Sequence, residues 1–500
     1  MDKFDVVIIG SGLGGLQCGD ILSREGFKVC IVEKNNQIGG SLQNFVRKNC
    51  IFDVGGHYAG SLGEGQILHR FFKYFGIIDK LKLKRLDIDG FDIINFENDH
   101  NDYKYSQGYD NFINSLSESF PEERENLISY CNKLKEISKN LPLFNLEEIK
   151  SPIIDSSYFK VSTADFIKSF TKNIKLQNVL AGTNLLYAGV PNKTPMYVHS
   201  IINNSFIESA WRFVDGTSQI TELLKENIIN NGGTILTNST ASHILFEGHD
   251  MKYLRLSNKN LLETKYIISN IHPAETLQLL DSDKIRKAYK SRINNLENTI
   301  SVFTIYIVLK KNTFKYLNKN YYYYKNTNVW TTSTYNENNW PESFLFLTPA
   351  NTKSDEYADC ITVMAYMKYN EFSKWENTSI EKRGEEYKTL KKEKAEKLLD
   401  LIEKKFPGLR SKIESYYTST PLTYRDYIAT KQGSLYGILR DCNEPLKSEI
   451  LPRTKIPNLF LTGQNVNMHG VLGVTIGSLK TCGEILGLNY LLNKIKNTEK

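Results

Sequence analysis

The chain has 500 residues, a length that favours two or more structural units. Its composition, 40% hydrophobic and 24% charged residues, excludes extensive disorder. The formal net charge of +7 is small for this length and spread along the chain, which gives nucleic-acid binding little support. Seven cysteines without a CxxC pair and eight scattered histidines indicate reduced thiols and predict neither a disulfide framework nor a metal site.

Neither a signal peptide nor a transmembrane segment is predicted. Asp2 and Asp5 flank a strand that the fold needs, and no uninterrupted apolar run reaches the roughly 18 residues of a membrane-spanning helix. We therefore expect a cytoplasmic protein. Two amphipathic segments, 65–83 and 381–405, predict helices that face a core or solvent, and the alternative for both is peripheral contact with the inner face of a membrane.

The N-terminal segment carries the most informative motif. An apolar run over 4–9 predicts a buried parallel strand, which leads through the glycine-rich turn Gly10–Gly15 into a helix over 16–25. The glycines permit a tight turn, the approach of a pyrophosphate and close packing of helix and strand. Glu33 ends a second strand over 28–32, about 20 residues past the glycines, where a carboxylate can accept hydrogen bonds from a ribose diol. This order of elements predicts dinucleotide binding.

A second glycine pair indicates which dinucleotide is expected. After Glu33 and Lys34 comes a short polar spacer and then Gly39-Gly40-Ser41. This arrangement resembles the extended fingerprint of the FAD-containing flavoproteins typified by glutathione reductase, rather than a nicotinamide-binding domain. The resemblance implies FAD as the cofactor. It also implies an α/β fold with a glutathione-reductase-type Rossmann domain that is discontinuous in sequence.

A third glycine turn follows the fingerprint. Residues 50–58 predict a short strand that enters a turn at Gly55 and Gly56, followed by His57 and Tyr58. In an arbitrary protein this pattern indicates a plain strand-to-loop connection. Related flavoproteins bring such a turn under the isoalloxazine ring, which implies that His57 and Tyr58 face the active site.

The middle of the chain alternates between two kinds of sequence. Over 86–214 the glycines thin out and helix alternates with loop, as is typical of a substrate cap. Residues 215–270 again predict a helix, a Gly-Gly turn and strands, the order of a nucleotide-binding domain. Because this segment has no phosphate loop of its own, we expect it to complete the cofactor domain. Strands over 302–309 and 360–366, with the aromatic run Tyr321–Tyr324, predict a mixed or antiparallel cap sheet in an α+β domain. The predicted division is FAD-binding parts at 1–85, 215–290 and 455–492, substrate or cap parts at 86–214 and 291–454, and a tail at 493–500.

The C-terminal part repeats the physical arrangement of the opening. A strand over 458–464 ends at Gly463 and Gln464, and a helix begins within Gly470–Gly477. Glycine permits a close approach after this strand, and the N-terminus of the following helix attracts negative charge. This arrangement favours an electron-rich group in front of the helix. In flavoproteins such a helix points at the pyrimidine edge of the ring, where negative charge accumulates on reduction.

Several of these segments together resemble one branch of flavoproteins. They are the N-terminal fingerprint, Phe52–Tyr58 with Gly63–Gly65, Gly433–Gly437 and Leu459–Gly477. They are similar to the retinol saturase branch of the phytoene desaturase and carotenoid isomerase family, over both cofactor segments and patchily over the cap. The resemblance implies one non-covalent FAD and an apolar tunnel that admits a long isoprenoid or polyene beside it. Flavoproteins at large often have an acid where this chain has Gln464 and an arginine where it has Ser41, so the detailed flavin contacts stay open.

The resemblance assigns candidate residues to the cofactor and to the chemistry. The cofactor candidates are Gly10, Ser11, Gly12, Leu13, Gly14, Gly15, Glu33, Lys34, Gly39, Gly40, Ser41, Gly55, Gly56, His57, Ile244, Gly463, Gln464, Gly470, Val471, Gly473, Val474 and Thr475. For proton transfer the candidates are His57, Tyr58, His469 and Tyr436, since both residue types transfer protons within hydrogen-bond reach. The alternative for each of these four side chains is packing or a contact with the cofactor.

The expected reaction is hydride transfer between flavin N5 and one carbon of a C=C bond, with proton exchange at the neighbouring carbon. One alternative is a flavin amine oxidase-like enzyme, although 465–471 contains no aromatic residue for an amine cage. Another is a non-catalytic module of the GDP-dissociation-inhibitor type that binds prenylated proteins, against which the retained glycines and Glu33 argue. Residues 60–65 follow no clean strand, so no second dinucleotide site is predicted and the electron partner stays open. We expect a hydrophobic small-molecule substrate, no nucleic-acid partner and no bound metal.

Overall fold

The structure is a computed structural model that describes residues 2–149, 156–248, 250–281 and 284–498. Its strands, in chain order, are β1 (Asp2–Ile9), β2 (Val29–Val32), β3 (Asn44–Arg47), β4 (Cys50–Asp53), β5 (Ala59–Gly60), β6 (Leu83–Arg85), β7 (Asp92–Phe96), β8 (Tyr103–Tyr105), β9 (Ala210–Phe213), β10 (Thr234–Leu236), β11 (Ala241–Glu247), β12 (Asp250–Leu256), β13 (Leu261–Ser269), β14 (Ser301–Leu309), β15 (Asn320–Tyr324), β16 (Ser343–Leu347), β17 (Cys360–Met367), β18 (Ile413–Ser419) and β19 (Leu459–Leu461). Its α-helices are α1 (Leu13–Arg24), α2 (Ile67–Tyr74), α3 (Tyr109–Ser119), α4 (Arg124–Lys139), α5 (Ser157–Lys160), α6 (Thr163–Lys168), α7 (Ile174–Leu180), α8 (Met196–Glu208), α9 (Ser218–Asn230), α10 (Pro273–Gln278), α11 (Lys287–Asn294), α12 (Gly384–Lys405), α13 (Leu409–Lys412), α14 (Pro421–Ile428), α15 (Pro445–Ser448), α16 (Gly470–Leu486) and α17 (Leu488–Asn497).

The first sheet is a Rossmann sheet assembled from distant parts of the chain. Its strand order is β10-β2-β1-β13-β12-β11, with β19 beside β13. The pairs β10–β2, β2–β1, β1–β13 and β13–β19 are parallel, whereas β11 and β12 form antiparallel pairs. Strand β2 and the second half of β1 are buried Val- and Ile-rich runs, as parallel strands covered on both faces require. The predicted fold class, an α/β fold with a Rossmann domain discontinuous in sequence, is confirmed.

Helices cover one face of this sheet closely. Helix α1 lies between α9 and α16, and the three share one apolar core with α2 and α17. A Cβ on Gly19 in α1 would lie 2.8 Å from the Ile31 side chain, so the absence of a side chain there permits the helix to approach the sheet. Strands β11 and β12 and helices α10 and α11 contribute to the core on the other face.

The second sheet belongs to the cap and is mixed. Its order is β18-β14-β17-β16-β15-β7-β8, in which β15 and β7 are parallel and the other pairs antiparallel. The predicted aromatic run lies in β15, where Tyr322 and Tyr324 face a core with helices α3, α4 and α6 to α8, and Tyr323 faces a core with α12. This alternation follows from the two-residue period of a strand. The domain boundaries given above stay predictions, and the last two residues of the predicted tail lie outside the described residues.

The two amphipathic segments bury their apolar faces inside the protein. Helix α2 ends at Tyr74, earlier than predicted, because Gly76 with φ 67° follows and turns the chain. Its Leu68, Phe71 and Phe72 lie in the core under the Rossmann sheet, and α12 packs on the cap sheet. All seven cysteines are buried free thiols. Among the described residues, no helix is long and apolar enough to cross a membrane, and no cluster of metal-binding side chains occurs.

Candidate active site

The site begins at the turn between β1 and α1. Gly10 has a φ of 92°, and a Cβ on Gly15 would lie 2.1 Å from the Gly10 carbonyl oxygen. A Cβ on Gly14 would lie 2.9 Å from the backbone of Gly463, at the end of β19. Helix α1 starts without a side-chain cap, since its N-cap residue is Gly12, so N–H groups of its first turn stay available at the cavity wall. Free N–H groups and the helix dipole make this end suitable for a pyrophosphate.

Glu33 lies beside this turn at the end of β2. Its carboxylate accepts hydrogen bonds from the Ser11 backbone N at 3.0 Å, the Ser11 hydroxyl at 2.7 Å and the Asn35 backbone N at 2.9 Å. These donors fix the carboxylate at the edge of a cavity, where its remaining lone pairs can accept from ribose hydroxyls. Ser11 thus acts on the site by orienting Glu33.

The cavity at this turn has a volume of about 440 Å³ and runs between the Rossmann sheet and the cap. Many predicted cofactor residues form its wall: Gly10, Gly12, Leu13, Gly14, Glu33, Lys34, Gly39, Gly40, Ser41, Gly55, Gly56, Gly463, Gln464, Gly470, Val471 and Val474. The first turns of both α1 and α16 contribute to this wall, through Leu13 and Gly14 and through Gly470 and Val471. Two helix N-termini therefore border the same cavity.

Other predicted cofactor residues lie outside this wall. Gly15 permits packing, and the Thr475 hydroxyl donates to the Val471 carbonyl at 2.7 Å and accepts from Gln17. His57 and Gly473 line a second cavity. The Ile244 side chain is buried in a core against which Ala241 and Ile271 of the cavity wall also pack. Its contact with the cofactor stays a prediction.

The wall also contains a loop that the sequence did not mark as a cofactor contact. It follows α14 and has tight backbone geometry, since a Cβ on Gly433 would lie 2.1 Å from the Pro421 carbonyl. The hydroxyls of Thr430 and Ser434 in this loop are buried without a hydrogen-bond partner among the described residues. Unpaired buried hydroxyls in a cavity wall favour a polar ligand in that cavity. In the sequence, Gly433 was the one indication of this loop, as the first residue of the segment Gly433–Gly437 that the family resemblance named.

Helix α16 begins at the wall of the same cavity. Its N-cap residue is His469, whose side chain does not cap the helix. A Cβ on Gly473 would lie 2.6 Å from the Met468 carbonyl oxygen, so glycine is needed for the approach of this helix to the preceding loop. The free N–H groups of the first turn suit a group that gains negative charge. The glycine cradle, Glu33, the unpaired hydroxyls and this helix end fit the pyrophosphate, ribose, polar chain and ring edge of FAD.

A second, smaller cavity adjoins this end. Its volume is about 140 Å³, and it shares Gly55, Gly56, Leu435, Tyr436, Gly470 and Val471 with the cofactor cavity. Its remaining wall is mostly apolar: Leu185, Leu186, Ile201, Ile202, Phe206, Val302, Leu345, Met364 and Met468. The four candidates for proton transfer, His57, Tyr58, Tyr436 and His469, all lie in this wall. We call this space the reaction cavity.

Two of the four candidates are held by backbone carbonyls. The Tyr436 hydroxyl donates to the Leu185 carbonyl at 2.9 Å, and the His469 Nε2–H donates to the Leu186 carbonyl at 3.0 Å. Their rings stack, with centroids 4.2 Å apart. Because a carbonyl only accepts, His469 carries its proton on Nε2 and has Nδ1 as its acceptor nitrogen. Burial lowers the pKa of His469 to about 4, so the ring is neutral at neutral pH.

Tyr58 is held by a buried acid that sequence reasoning missed. Its hydroxyl donates to Asp92 Oδ2 at 2.9 Å, and Asn320 Nδ2 donates to Asp92 Oδ1 at 2.7 Å. Burial raises the pKa of Asp92 to about 7. Arg212, fully buried, donates to the Asn320 side chain at 2.5 Å and to the carbonyls of Leu317 and Lys319, just before β15. Nothing in the sequence around Asp92 distinguishes it from an ordinary residue at a strand start.

His57 differs from the other three candidates. Neither of its ring nitrogens has a hydrogen-bond partner among the described residues, although both are buried. Burial, followed by the charge of Arg212, lowers its pKa to about 4. A neutral imidazole with two unpaired nitrogens can donate one hydrogen bond and accept another. Of the four candidates, His57 is therefore the one whose donor and acceptor are both available to a ligand.

Replacing Asp92 with asparagine is expected to give a melting temperature that rises relative to wild type as the pH increases from about 4 to about 7. The folded-state pKa of about 7 exceeds the ordinary 3.8, so the folded protein binds more protons between these values and the wild type loses stability as the pH rises through 7. Asparagine removes this loss; it keeps an acceptor for Tyr58 and gives up the one for Asn320, a cost that does not change with pH. Melting temperatures across the pH range test this expectation. The exposed Asp355→Asn variant is the control, and a difference from wild type that is constant with pH would contradict it.

Comparisons with known proteins agree with this geometry. Residues 8–75 match the model of an NAD(P)-binding Rossmann-like domain. The sequence is 28% identical to the all-trans-retinol 13,14-reductase of Rattus norvegicus, over 98% of this chain and 86% of that protein. It is 23% identical to a prolycopene isomerase 2, chloroplastic, of an Oncidium hybrid cultivar, over 93% of this chain and 80% of that protein. The chain is a homologue of all-trans-retinol 13,14-reductases and prolycopene isomerases.

A solved structure shares the fold of this homologue of the retinol reductases. A CLA-producing fatty acid isomerase from P. acnes superposes with a TM-score of 0.62 at 14% identity, over 96% of this chain and 98% of that chain. The matches to the retinol reductase and the prolycopene isomerase confirm the resemblance found in the sequence, and the solved structure supports the fold. The cofactor that this fold and these residues accept is FAD.

Proposed function

We propose that this chain is an FAD-dependent oxidoreductase that saturates, desaturates or isomerises a carbon-carbon double bond of a hydrophobic isoprenoid, polyene or related lipid. The observation that carries the proposal is the junction of the reaction cavity with the cofactor cavity at Gly55, Gly56, Tyr436 and Gly470. An apolar chain in the reaction cavity lies against the ring end of the cofactor cavity. The names of the relatives, a retinol reductase and a prolycopene isomerase, support the same class of substrate.

The cofactor is assigned to named parts of the chain. The first turn of α1 behind Gly12 would hold the pyrophosphate, Glu33 the ribose diol, and the first turn of α16 the pyrimidine edge. Gly55 and Gly56 would lie against the ring. When bound, FAD supplies hydride exchange at N5. The chain supplies orientation of the lipid and exclusion of water, since the wall of the reaction cavity is mostly apolar.

Proton exchange at the neighbouring carbon is assigned to His57. The ring lies in the wall of the reaction cavity, its nitrogens are unpaired, and its lowered pKa keeps it neutral near pH 7. Tyr58, Tyr436 and His469 are assigned to positioning, because each already donates to Asp92 or to a backbone carbonyl. An amine oxidase is not favoured, since 465–471 brings no aromatic side chain to the site.

The expected lipid substrate also bears on where the protein acts in the cell. Leu446 and Leu451 are large apolar side chains that are 68% and 55% exposed, and both follow the loop that carries Arg440. We assign the protein to the cytoplasm with peripheral contact at the inner face of a membrane, where such lipids dissolve. The described part of the chain offers one dinucleotide fingerprint, and the electron donor or acceptor stays open.

Anaerobic mixing of the reduced holoprotein with a panel of retinoids, carotenoid precursors and other polyenes tests the proposed function. We expect at least one polyene to reoxidise the flavin, measured as the return of its visible absorbance, and simple amines to leave the oxidised flavin unchanged. The proposal fails if no polyene reoxidises the reduced flavin, reduces the oxidised flavin or is isomerised by the holoprotein while dioxygen reoxidises the flavin, because the flavin is then competent and the substrate class is wrong.

A further inference from the structure

The reaction cavity needs an entrance other than its junction with the cofactor cavity. The residues that the two cavities share, among them Gly55, Gly56 and Gly470, would lie against FAD in the holoprotein. A lipid that reacts there therefore has to arrive from another side.

An apolar groove adjoins the reaction cavity and takes no part in the steps above. Its volume is about 370 Å³, and residues 141–144 with Phe159 and Pro195 form much of its wall. Ile201 and Met468 belong to the walls of both the groove and the reaction cavity. Both side chains are buried, so they form a narrow partition between the two spaces.

Two elements run along the groove and the reaction cavity in the same order. On α8, Tyr197 lines the groove, Ile201 lines both spaces and Ser205 lines the reaction cavity. These three residues are four positions apart, which places them on one face of the helix. On the loop before α16 and in its first turn, 466–468 line the groove and 468–473 line the reaction cavity. The groove therefore leads into the reaction cavity at the residues that both walls share.

The charged side chains of the groove wall balance one another. They are two basic residues, Arg440 and Lys480, and two acidic residues, Asp441 and Glu449. Because their formal charges cancel, the wall offers no excess charge to an ion, and the rest of it is mostly apolar. This composition favours an uncharged apolar chain as the occupant.

The groove also reaches the surface of the protein. Leu451 belongs to the groove wall and is 55% exposed. Pro445, in the same wall, begins α15, where the next residue, Leu446, is 68% exposed. Large apolar side chains exposed beside an apolar groove are typical of a site where an apolar ligand enters.

We propose that the groove is the passage by which an uncharged lipid reaches the flavin, from a mouth at Leu451 to a constriction formed by Ile201 and Met468. This proposal rests on the proposed function, because the lipid is the substrate of that reaction. Methionine is unbranched and has three rotatable bonds, so Met468 can move aside for a passing chain. The size of this side chain then controls how fast the lipid enters.

Blocking the mouth with a chemical label tests the passage. All seven native cysteines are buried, so a bulky maleimide added to Leu451→Cys reacts at the new thiol. The probe is the methyl ester of cis-parinaric acid, and the measurement is the change that it causes in the visible absorbance of the oxidised flavin. We expect the unlabelled variant to respond like wild type and the labelled variant to lose the response. Ile229→Cys, at a 48% exposed position on α9, is the control and should respond like wild type when labelled.

Truncating the constriction gives a second measurement. In Met468→Ala the absorbance change of the flavin should follow mixing with the ester severalfold faster than in wild type, because the partition is removed. Met251→Ala is the matched control, since Met251 is a buried methionine of β12 that belongs to neither wall, and it should leave the rate unchanged.

The results separate the passage from the proposed function. A full response of labelled Leu451→Cys, or an unchanged rate in Met468→Ala with retained flavin, would overturn the passage. Reoxidation of the reduced flavin by a polyene would still leave the proposed reaction in place in that case. A wild-type flavin that does not respond to the ester would overturn the groove as a route for lipids, whatever the polyene panel shows.

Discussion

Replacing Gly15 with alanine is expected to give a protein that purifies without flavin and melts at a markedly lower temperature. The added Cβ would lie 2.1 Å from the Gly10 carbonyl oxygen, so α1 must move away from β1. Such a shift displaces the first turn of α1 from the position in which its N–H groups face the pyrophosphate, and it also loosens the packing of α1 on the sheet. Visible absorbance per mole of protein and a thermal melt measure the two effects.

Gly477→Ala is the control for this experiment. Gly477 lies in α16, the helix that packs on α1, and a Cβ there would meet its nearest neighbour at 3.6 Å, which is ordinary contact. We expect this variant to keep its flavin and to melt near the wild-type temperature. A Gly15→Ala protein with a full complement of flavin would show that the close approach of α1 to β1 does not control cofactor binding.

Replacing His57 with alanine is expected to lower turnover of the best polyene by about 10²–10⁴-fold while FAD stays bound, the usual contribution of a positioned acid or base. The reason is the pair of unpaired ring nitrogens in the wall of the reaction cavity. Steady-state turnover, together with the flavin content of the variant, measures the effect. His243→Ala on the exposed face of β11 is the matched control and should turn over like wild type.

The pH dependence gives the same experiment a second measurement. The pKa of His57 is lowered to about 4, so the neutral ring is present above that value and turnover assigned to it should stay flat from pH 8 down to about 5. Between pH 6.5 and 4 the unfolded chain binds this proton and the folded protein does not, so stability falls as the pH drops through this range. Full turnover of His57→Ala with bound FAD would remove His57 from the mechanism.

The Rossmann part of the fold could be predicted because its signals are local. Glycines in the turn after β1 are required by contacts as short as 2.1 Å, and Glu33 must lie within a few residues of the end of β2. Burial on both faces also leaves a continuous run of Val and Ile in a strand such as β2. Such constraints are visible in any single sequence that satisfies them.

The cap could not be predicted in the same way. Asp92 becomes a buried acid because β7 pairs with β15, which places Asn320, 228 residues away, against it. Tyr58 contacts the same carboxylate from 34 residues away. No local pattern in the sequence indicates either contact.

The construction of the Rossmann sheet from distant segments bears on how the protein acquires its flavin in the cell. The Gln17 side chain donates to Thr475 across 458 residues, and β13 and β19 complete the sheet beside β1. During synthesis the glycine turn leaves the ribosome long before these partners do, and long-range pairing of this kind is slow. Flavin loading is therefore a late event in biogenesis. Until β13 and β19 are synthesised, the apolar strand β1 lacks the neighbours that bury it in the folded protein, and the nascent chain is open to aggregation there.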